Sequence, residues 1–579
     1  MTRPLTPANK TLGRSNWTWQ DGLLILVILS FIVAIIRTAS KFTGTFEPEL
    51  TISTNINALP GYTAQTLIRM GLAYFFSLIF TLLYAYTAYR SRMAERILIP
   101  MLDILQSIPV LSFLPGVVLA LISLFPGQRI GVELAAILLI FTGMTWNMTF
   151  SFYQSLQSIP RELLEASRVY RLNPWQRFWT LELPSGVIGL VWNSVMSVAG
   201  GWFFLIAIES FTLGNQDFRL PGLGSFLGTA ANKGDFKAIF WGLALLIAII
   251  VATDFFVWRP LIAWAERFKL EMIETENAPQ SWILDTFRRS PTLRAISNGV
   301  FQPLQTALDD SLIRSFPVRS VPINAKGNLN LPSFLNWIFV SGFSLIVLWG
   351  TWEAVLLLRT LAWDDWQQVM KGAMLTALRV IIALILSLLW TVPVGVAIGR
   401  NRRLAQVLQP LVQIAASVPA TALFPVLLLG LTRIAGGLQI GAIALMMLGT
   451  MWYILFNVIA GAQSIPSDLI EAASVYKLSR LQRWRTLILP AIFPYLITGI
   501  ISAVGGAWNA SIVSEYVTFQ GRVISTCGLG ATISHATATG NFSLLLASTA
   551  IMSLLVVLTN RLVWRPLYNL AQEKYQLSV

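Results

Sequence analysis

Twelve apolar runs set the limits on what this chain can fold into. They lie at about 20–37, 66–89, 101–125, 132–153, 187–208 and 238–258, and again at about 334–358, 374–398, 407–431, 438–460, 492–513 and 543–563. A helix needs about 20 mostly apolar residues to cross the hydrocarbon core of a bilayer, so each run is a predicted span. Composition agrees: 55% of the residues are hydrophobic and 12% are charged, against about 25% charged in a soluble protein. A chain this apolar cannot bury all of its greasy surface in itself, and lipid must solvate the rest. The predicted class is an all-α membrane protein with about twelve transmembrane helices. Pro109, Pro115, Pro419 and Pro425 interrupt the third and ninth runs, where a kinked or partly unwound helix is expected. The first run follows Arg3, Lys10 and Arg14 without a convincing cleavage site after it, so it is read as a retained span.

Charge orients the spans. The net charge of +14 would point to nucleic acid in a soluble protein. Here the basic residues lie between apolar runs, and no nucleic-acid partner is expected. Arg90, Arg92 and Arg96 share one side with Arg161, Arg168, Arg171 and Arg177. Arg400, Arg402, Arg403, Lys477, Arg480, Arg483, Arg485, Arg565 and Lys574 fall on the same side. The positive-inside rule makes that side, and both termini, cytoplasmic.

The chain repeats itself at an offset close to 306 residues. Gln157-Ser158-Ile159-Pro160 recurs as Gln463-Ser464-Ile465-Pro466, Glu209 as Glu515, Gly222-Leu223-Gly224 as Gly528-Leu529-Gly530, and Trp258-Arg259-Pro260 as Trp564-Arg565-Pro566. Each copy holds an even number of runs, so the copies are parallel repeats related by a pseudo-twofold axis along the membrane normal. This divides the chain into a first transmembrane repeat (1–258), a polar, proline-dotted cytoplasmic linker (259–333) and a second transmembrane repeat (334–579). Short helices are expected in the linker near 281–289 and 301–313.

The most informative segment lies between the fourth and fifth runs of each repeat. It reads QSIPRELLEASRVYRLNPWQRFWTLELP from Gln157 to Pro184 and QSIPSDLIEAASVYKLSRLQRWRTLILP from Gln463 to Pro490. Pro160 with Glu162, and Pro466 with Asp468, put proline and acid where a helix starts. The residues that follow alternate an apolar stripe with a charged face. A second short basic-aromatic helix is predicted from Pro174 and from Arg480. A proline then closes each loop before the next span.

This pair of loops resembles the Glu-Ala-Ala loop of binding-protein-dependent ABC importer permeases. The family pattern is E-A-A, three residues, G, nine residues, I, one residue, then L-P. The second copy carries Glu471, Ala472, Ala473, Leu489 and Pro490; the first carries Glu165, Ala166, Ser167, Leu183 and Pro184. Arg171 and Lys477 stand in the glycine place. Glycine there permits a positive φ, so a different join between the two loop helices is expected. The resemblance implies that the loops dock on two separate ABC ATPase subunits, which bind ATP and magnesium on the cytoplasmic side of the bacterial inner membrane. It also implies a periplasmic substrate-binding protein. The wider likeness is to the nitrate, sulfonate, taurine and bicarbonate branch, which implies a small anion as solute. The chain has no G-x-x-x-x-G-K-[ST] to cradle phosphates, so no ATPase site of its own is expected. An enzyme is not expected, as no catalytic cluster is legible.

A translocation pathway is sought among polar and small residues inside the spans. Gly200-Gly201-Trp202 with Glu209, and Gly505-Gly506 with Trp508, Asn509 and Glu515, occupy the fifth run of each repeat. Trp202, Glu209, Trp508, Asn509 and Glu515 are the candidate pathway residues. Both carboxylates are expected near the outer ends, within reach of water. The paired Gly-Leu-Gly in the outer loops is a candidate landing place for a binding protein. No metal site is expected: the one histidine, His535, reads as a loop residue and the one cysteine, Cys527, as a buried filler. Two other functions stay open, an ion-gradient-driven secondary transporter and a non-transporting scaffold or sensor.

Overall fold

The structure is a computed structural model, and it describes residues 51–126, 128–213, 216–268, 345, 348–431, 437–519 and 522–575. In the first repeat the helices are α1 (Leu59–Arg90), α2 (Arg92–Ser107), α3 (Val110–Leu124), α4 (Ile130–Gln157), α5 (Arg161–Val169), α6 (Pro174–Arg177), α7 (Leu183–Glu209), α8 (Leu223–Lys233), α9 (Phe236–Thr253) and α10 (Arg259–Ala265). A short apolar helix, α11 (Leu348–Leu358), belongs to the second repeat. It is followed there by α12 (Trp363–Arg400), α13 (Arg402–Ser417), α14 (Ala420–Leu431), α15 (Gly437–Gln463), α16 (Ser467–Val475), α17 (Arg480–Arg483), α18 (Leu489–Ser514), α19 (Leu529–Thr539), α20 (Phe542–Thr559) and α21 (Arg565–Tyr575). The only strands among the described residues form two small antiparallel hairpins. One pairs Thr212–Leu213 with Gln216–Asp217, the other Tyr516–Phe519 with Arg522–Ser525.

Eight of the described helical segments are long and apolar enough to cross a membrane: Ile56–Arg90, Ile130–Gln157, Pro174–Glu209 and Phe236–Phe268 in one repeat, and Trp363–Arg400, Gly437–Gln463, Arg480–Ser514 and Phe542–Ala571 in the other. The chain is therefore an all-α, multi-pass membrane protein. Eight of the twelve predicted runs correspond to these segments. The run at 20–37 and most of that at 334–358 lie outside the described residues, as does the linker beyond residue 268, with its two expected helices.

The runs at 101–125 and 407–431 are not single spans. Each divides into two helices, α2 and α3 or α13 and α14, at Ile108-Pro109 and Val418-Pro419. A residue before proline is pushed out of the helical region by the ring. Ile108 (ψ 126°) and Val418 (ψ 117°) are accordingly extended. Proline then starts the next helix, where its missing N–H is no loss.

Four further prolines sit inside continuous helix without breaking it. Each follows one wide turn with i→i+5 hydrogen bonding: Phe178–Glu182 before Pro184, Asp254–Trp258 before Pro260, Trp484–Ile488 before Pro490 and Asn560–Trp564 before Pro566. The N–H of Leu183 reaches Phe178 O and that of Leu489 reaches Trp484 O. The wide turn shifts the hydrogen-bond register where proline would otherwise leave a gap. The second loop helix is consequently no separate element: Pro174 to Glu209 and Arg480 to Ser514 each run as one helix.

Within each repeat the fourth predicted span is the centre of packing. Helix α4 lies between α1 and α7, and α15 lies between α12 and α18. The repeats also grip each other. Helix α3 packs on α18, and α7 on α14. Gln413 Nε2 donates to Asp254 Oδ1 at 2.9 Å, and Thr549 Oγ1 donates to the carbonyl of Ser112 at 3.2 Å.

Candidate functional site: two loops, a central cavity and a buried clasp

The two loops form one end of the molecule. Pro160 and Pro466 cap α5 and α16, the helices carrying Glu162, Glu165, Asp468 and Glu471 on their exposed faces. Ser167 and Ala473 turn inward and are buried, while Ala166 and Ala472 are half-buried. The small residues let the helix lie close against the spans. At the tips, Val169 and Tyr170 are 80% and 78% exposed, and Val475 and Tyr476 are 77% and 79% exposed. No other part of the described residues covers these side chains.

Arg171 and Lys477 make the turn a glycine would make. Their φ angles are +51° and +50°. The N–H of Leu172 donates to Ser167 O at 3.0 Å and that of Arg171 to Arg168 O at 2.8 Å. Leu478 to Ala473 (3.1 Å) and Lys477 to Ser474 (3.0 Å) repeat the pattern. This is a Schellman cap, whose C′ residue must be left-handed. The expectation of a different join is thus corrected: the backbone keeps the turn and carries the strain of a Cβ in it. Leu183 and Pro184, like Leu489 and Pro490, sit where the wide turn passes into the long span.

At the opposite end of the spans, Glu209 and Glu515 are wholly buried. Water does not reach them, contrary to expectation, because each is clasped. Glu209 accepts from Thr66 Oγ1 (2.8 Å), Arg69 Nη1 (2.8 Å) and the N–H of Gly224 (2.7 Å). Glu515 accepts from Thr376 Oγ1 (2.8 Å), Arg379 Nη1 (2.7 Å) and the N–H of Gly530 (2.9 Å). The carboxylate therefore pins the start of α8 or α19 to α1 or α12. The paired Gly-Leu-Gly belongs to this clasp. A Cβ on Gly222 or Gly528 would overlap the glutamate carboxyl, and Leu223 and Leu529 are fully buried. These segments are packed inside and offer no landing surface.

The clasps differ in the other partners of their arginines. Arg69 also binds Glu133, at 2.6 Å and 2.7 Å, whereas Arg379 instead donates to Thr526 Oγ1 at 3.0 Å.

Where the repeats meet, at mid-height of α4 and α15, lies a cavity of about 260 Å³. Asn509 lines it; Trp202 and Trp508 do not, being buried in helix packing at 2% and 3% exposure. The proline breaks open onto it through Ile108 and Val418, and matched indoles face it from Trp146 and Trp452. Broken helices at mid-membrane are tolerated where they line a cavity.

Sequence reasoning missed Arg69, Arg379, Thr66 and Thr376, and it missed Tyr453, Asn457 and Trp564 in the cavity wall. An arginine inside an apolar run is a signal in itself. The pairing was hidden because Arg69 and Arg379 stand 310 residues apart, as Pro109 and Pro419 do, while the landmarks that begin at Gln157 stand 306 apart. His535 lies exposed on α19, and Cys527 is exposed, not buried.

Comparison with known proteins places these features. Residues 73–258 and 391–564 each match the family described as binding-protein-dependent transport system inner membrane component. The Nitrate import permease protein NrtB of Leptolyngbya laminosa is 31% identical over 185 residues, covering 32% of this chain and 63% of that protein. The Bicarbonate transport system permease protein CmpB of Synechococcus elongatus is 32% identical over 126 residues, 22% of this chain and 44% of its own length. The Taurine transport system permease protein TauC of Escherichia coli is 27% identical over 196 residues, 33% of this chain and 65% of its own. The alignments thus span less than two thirds of each of these relatives. With two matched repeats covering most of its length, the chain belongs to the family of binding-protein-dependent transport system inner membrane components.

Proposed function

We propose that this chain supplies both permease halves of an ATP-driven importer on one polypeptide, moving a small solute across the bacterial inner membrane by alternating access. Two ABC ATPase subunits, holding ATP and magnesium, sit beneath the loops at Pro160–Pro184 and Pro466–Pro490. The chain itself does no chemistry. A periplasmic substrate-binding protein delivers solute to the other face, where the two β-hairpins stand. Both termini are cytoplasmic. The nitrate, bicarbonate and taurine in the relatives' names are the first solutes to screen.

The observation that carries this reading is the matched pair of loop tips, Val169-Tyr170 and Val475-Tyr476, held out by identical strained caps. A loop that merely linked two spans has no reason to expose a tyrosine and a valine twice. Moving the halves from 1:99 to 99:1 in favour of one facing takes about 5.5 kcal/mol. A rigid lever on each half can deliver that from nucleotide-driven closure of partner subunits.

Affinity purification from the native membrane tests the reading. An ABC ATPase should copurify with the wild-type chain and be lost from the Glu165→Lys, Glu471→Lys double variant, along with solute-stimulated ATP hydrolysis. Full stimulation in that variant rejects the docking role. Uptake that persists with no ATPase present would favour an ion-gradient carrier. An ATPase absent from both preparations, with no uptake, would favour a scaffold or sensor.

A further inference from the structure

Helix α13 carries three glutamines on one stripe. Gln406, Gln409 and Gln413 follow one another at intervals of three and four residues, a spacing that puts them on one face of a helix. They line a recess of about 550 Å³, together with Arg400 at the end of α12 and Gln463 at the end of α15. Ala416, one turn further along α13, lines the central cavity. The four positions fall within about 80° of arc and about 15 Å of helix axis. Recess and cavity are therefore consecutive compartments along one face of one helix. The recess lies at the loop end, because Gln463 opens the Gln-Ser-Ile-Pro run that leads into α16.

A bond from one repeat to the other stands between the two compartments. Gln413, the recess glutamine nearest the cavity, donates from Nε2 to Asp254 Oδ1 at 2.9 Å. Asp254 is buried at the start of the wide turn after α9, and α9 packs on α13. Its other oxygen meets Arg259 Nε at 3.1 Å, which holds the carboxylate in place. A hydrogen bond to an ionised acceptor is stronger than one between neutral groups. The first repeat is built differently at the corresponding place. There Arg96 and Ile99 stand for Gln406 and Gln409, and Glu95 stands for Ala405. Glu95 Oε1 accepts from Tyr153 Oη at 2.6 Å and from Gln157 Nε2 at 3.0 Å. These bonds tie α2 to α4, where the second repeat has Ala405, Ile459 and an open recess between α13 and α15.

We propose that the Gln413–Asp254 bond is a gate between the central cavity and the recess, and that the way from cavity to cytoplasm follows the glutamine face of α13, on the side of the second repeat. The bond joins the two halves, so rocking one against the other breaks it. Gln463 stands three residues before Pro466, the cap of α16, so a push on that loop reaches the recess wall directly. The gate does not rest on the permease reading above; that a solute takes this route does.

Thiol accessibility tests the gate on the full chain in inside-out membrane vesicles without added nucleotide. The probe is a charged, membrane-impermeant methanethiosulfonate, and Cys527→Ser removes the native thiol. Gln409→Cys, in the recess, should react readily and at one rate in every background. Ala416→Cys, behind the gate, should react slowly. Adding Gln413→Ala or, separately, Asp254→Ala should speed it at least about tenfold. Asp254→Asn keeps an acceptor for Gln413 and should leave Ala416→Cys slow. Ala136→Cys, fully buried towards the far end of α4, should stay unreactive throughout. An Ala416→Cys rate unchanged in both alanine variants overturns the proposal. So does an unreactive Gln409→Cys, an Ala416→Cys as fast as Gln409→Cys with the bond intact, or a matching rise at Ala136→Cys, which would mean general loosening. Copurification of an ATPase judges the permease reading separately, so loss of the gate leaves that reading standing.

Discussion

Arg379 and Glu515 meet at 2.7 Å between α12 and the end of α18, 136 residues apart in sequence, with the glutamate fully buried. Arg69 and Glu209 make the same bond at 2.8 Å in the other repeat. Burying either charge alone is far more costly than burying the pair, so removal of one partner should cost about 3–5 kcal/mol. Glu515→Ala is expected to lower the unfolding midpoint in detergent by several degrees. Replacing both Arg379 and Glu515 with methionine should recover much of the loss. A double variant as unstable as the single one would show that the pair does more than neutralise itself.

The two clasps should respond unequally to loss of their arginine. Arg69→Met strands the buried Glu209 and unpairs the partly exposed Glu133, whereas Arg379→Met strands Glu515 alone. The first substitution is therefore expected to be the more damaging. Parallel thermal scans of the two variants check the order.

Gly222 and Gly528 are two of the positions where the clasp has no room for a side chain. Alanine at either would drive a methyl group into the glutamate carboxyl and break the hydrogen bonds that start α8 or α19. A loss of about 2 kcal/mol or more per site is expected, measured by unfolding. Alanine at Gly505, where an added methyl meets nothing nearby, is the control and should be close to neutral.

The loop turn makes a prediction of opposite sign. Arg171 and Lys477 hold φ near +50°, a conformation glycine adopts freely. Arg171→Gly and Lys477→Gly should leave stability equal or raise it by up to about 1 kcal/mol. Arg171→Val, with its branched Cβ, should destabilise the loop. Amide exchange at Leu172 and Leu478, whose N–H groups close the two caps, reports the change directly. If the glycine variants also keep ATPase stimulation, the basic side chains serve the turn and not the docking contact.

Much of the architecture was legible without coordinates, because the relevant physics is local. A run of about 20 apolar residues must be a helix in lipid, since nothing else satisfies its backbone there. Two copies of one pattern must fold alike, so the matched loops and the parallel repeats followed from Pro160, Glu165, Pro184 and their counterparts. Proline explains itself as well. Before Pro109 and Pro419 the chain breaks, as the ring requires; before Pro184 and Pro490 it passes through a wide turn, which no local rule distinguishes in advance.

Tertiary structure decided the rest, and the reason is distance along the chain. Glu209 and Glu515 carry no mark in sequence that says whether a carboxylate near a helix end meets water or an arginine 140 or 136 residues earlier. Only packing α7 against α1 chose the second. Arg171 and Lys477 were expected to redirect the loop, but the fixed ends of two packed helices held the left-handed turn against a strain of about 1–2 kcal/mol. The cavity is the clearest case. Asn509, Trp564 and Trp146 lie on three helices from both repeats, and residue type alone does not say which side chains share one cavity. That depended on which faces of two repeats came together.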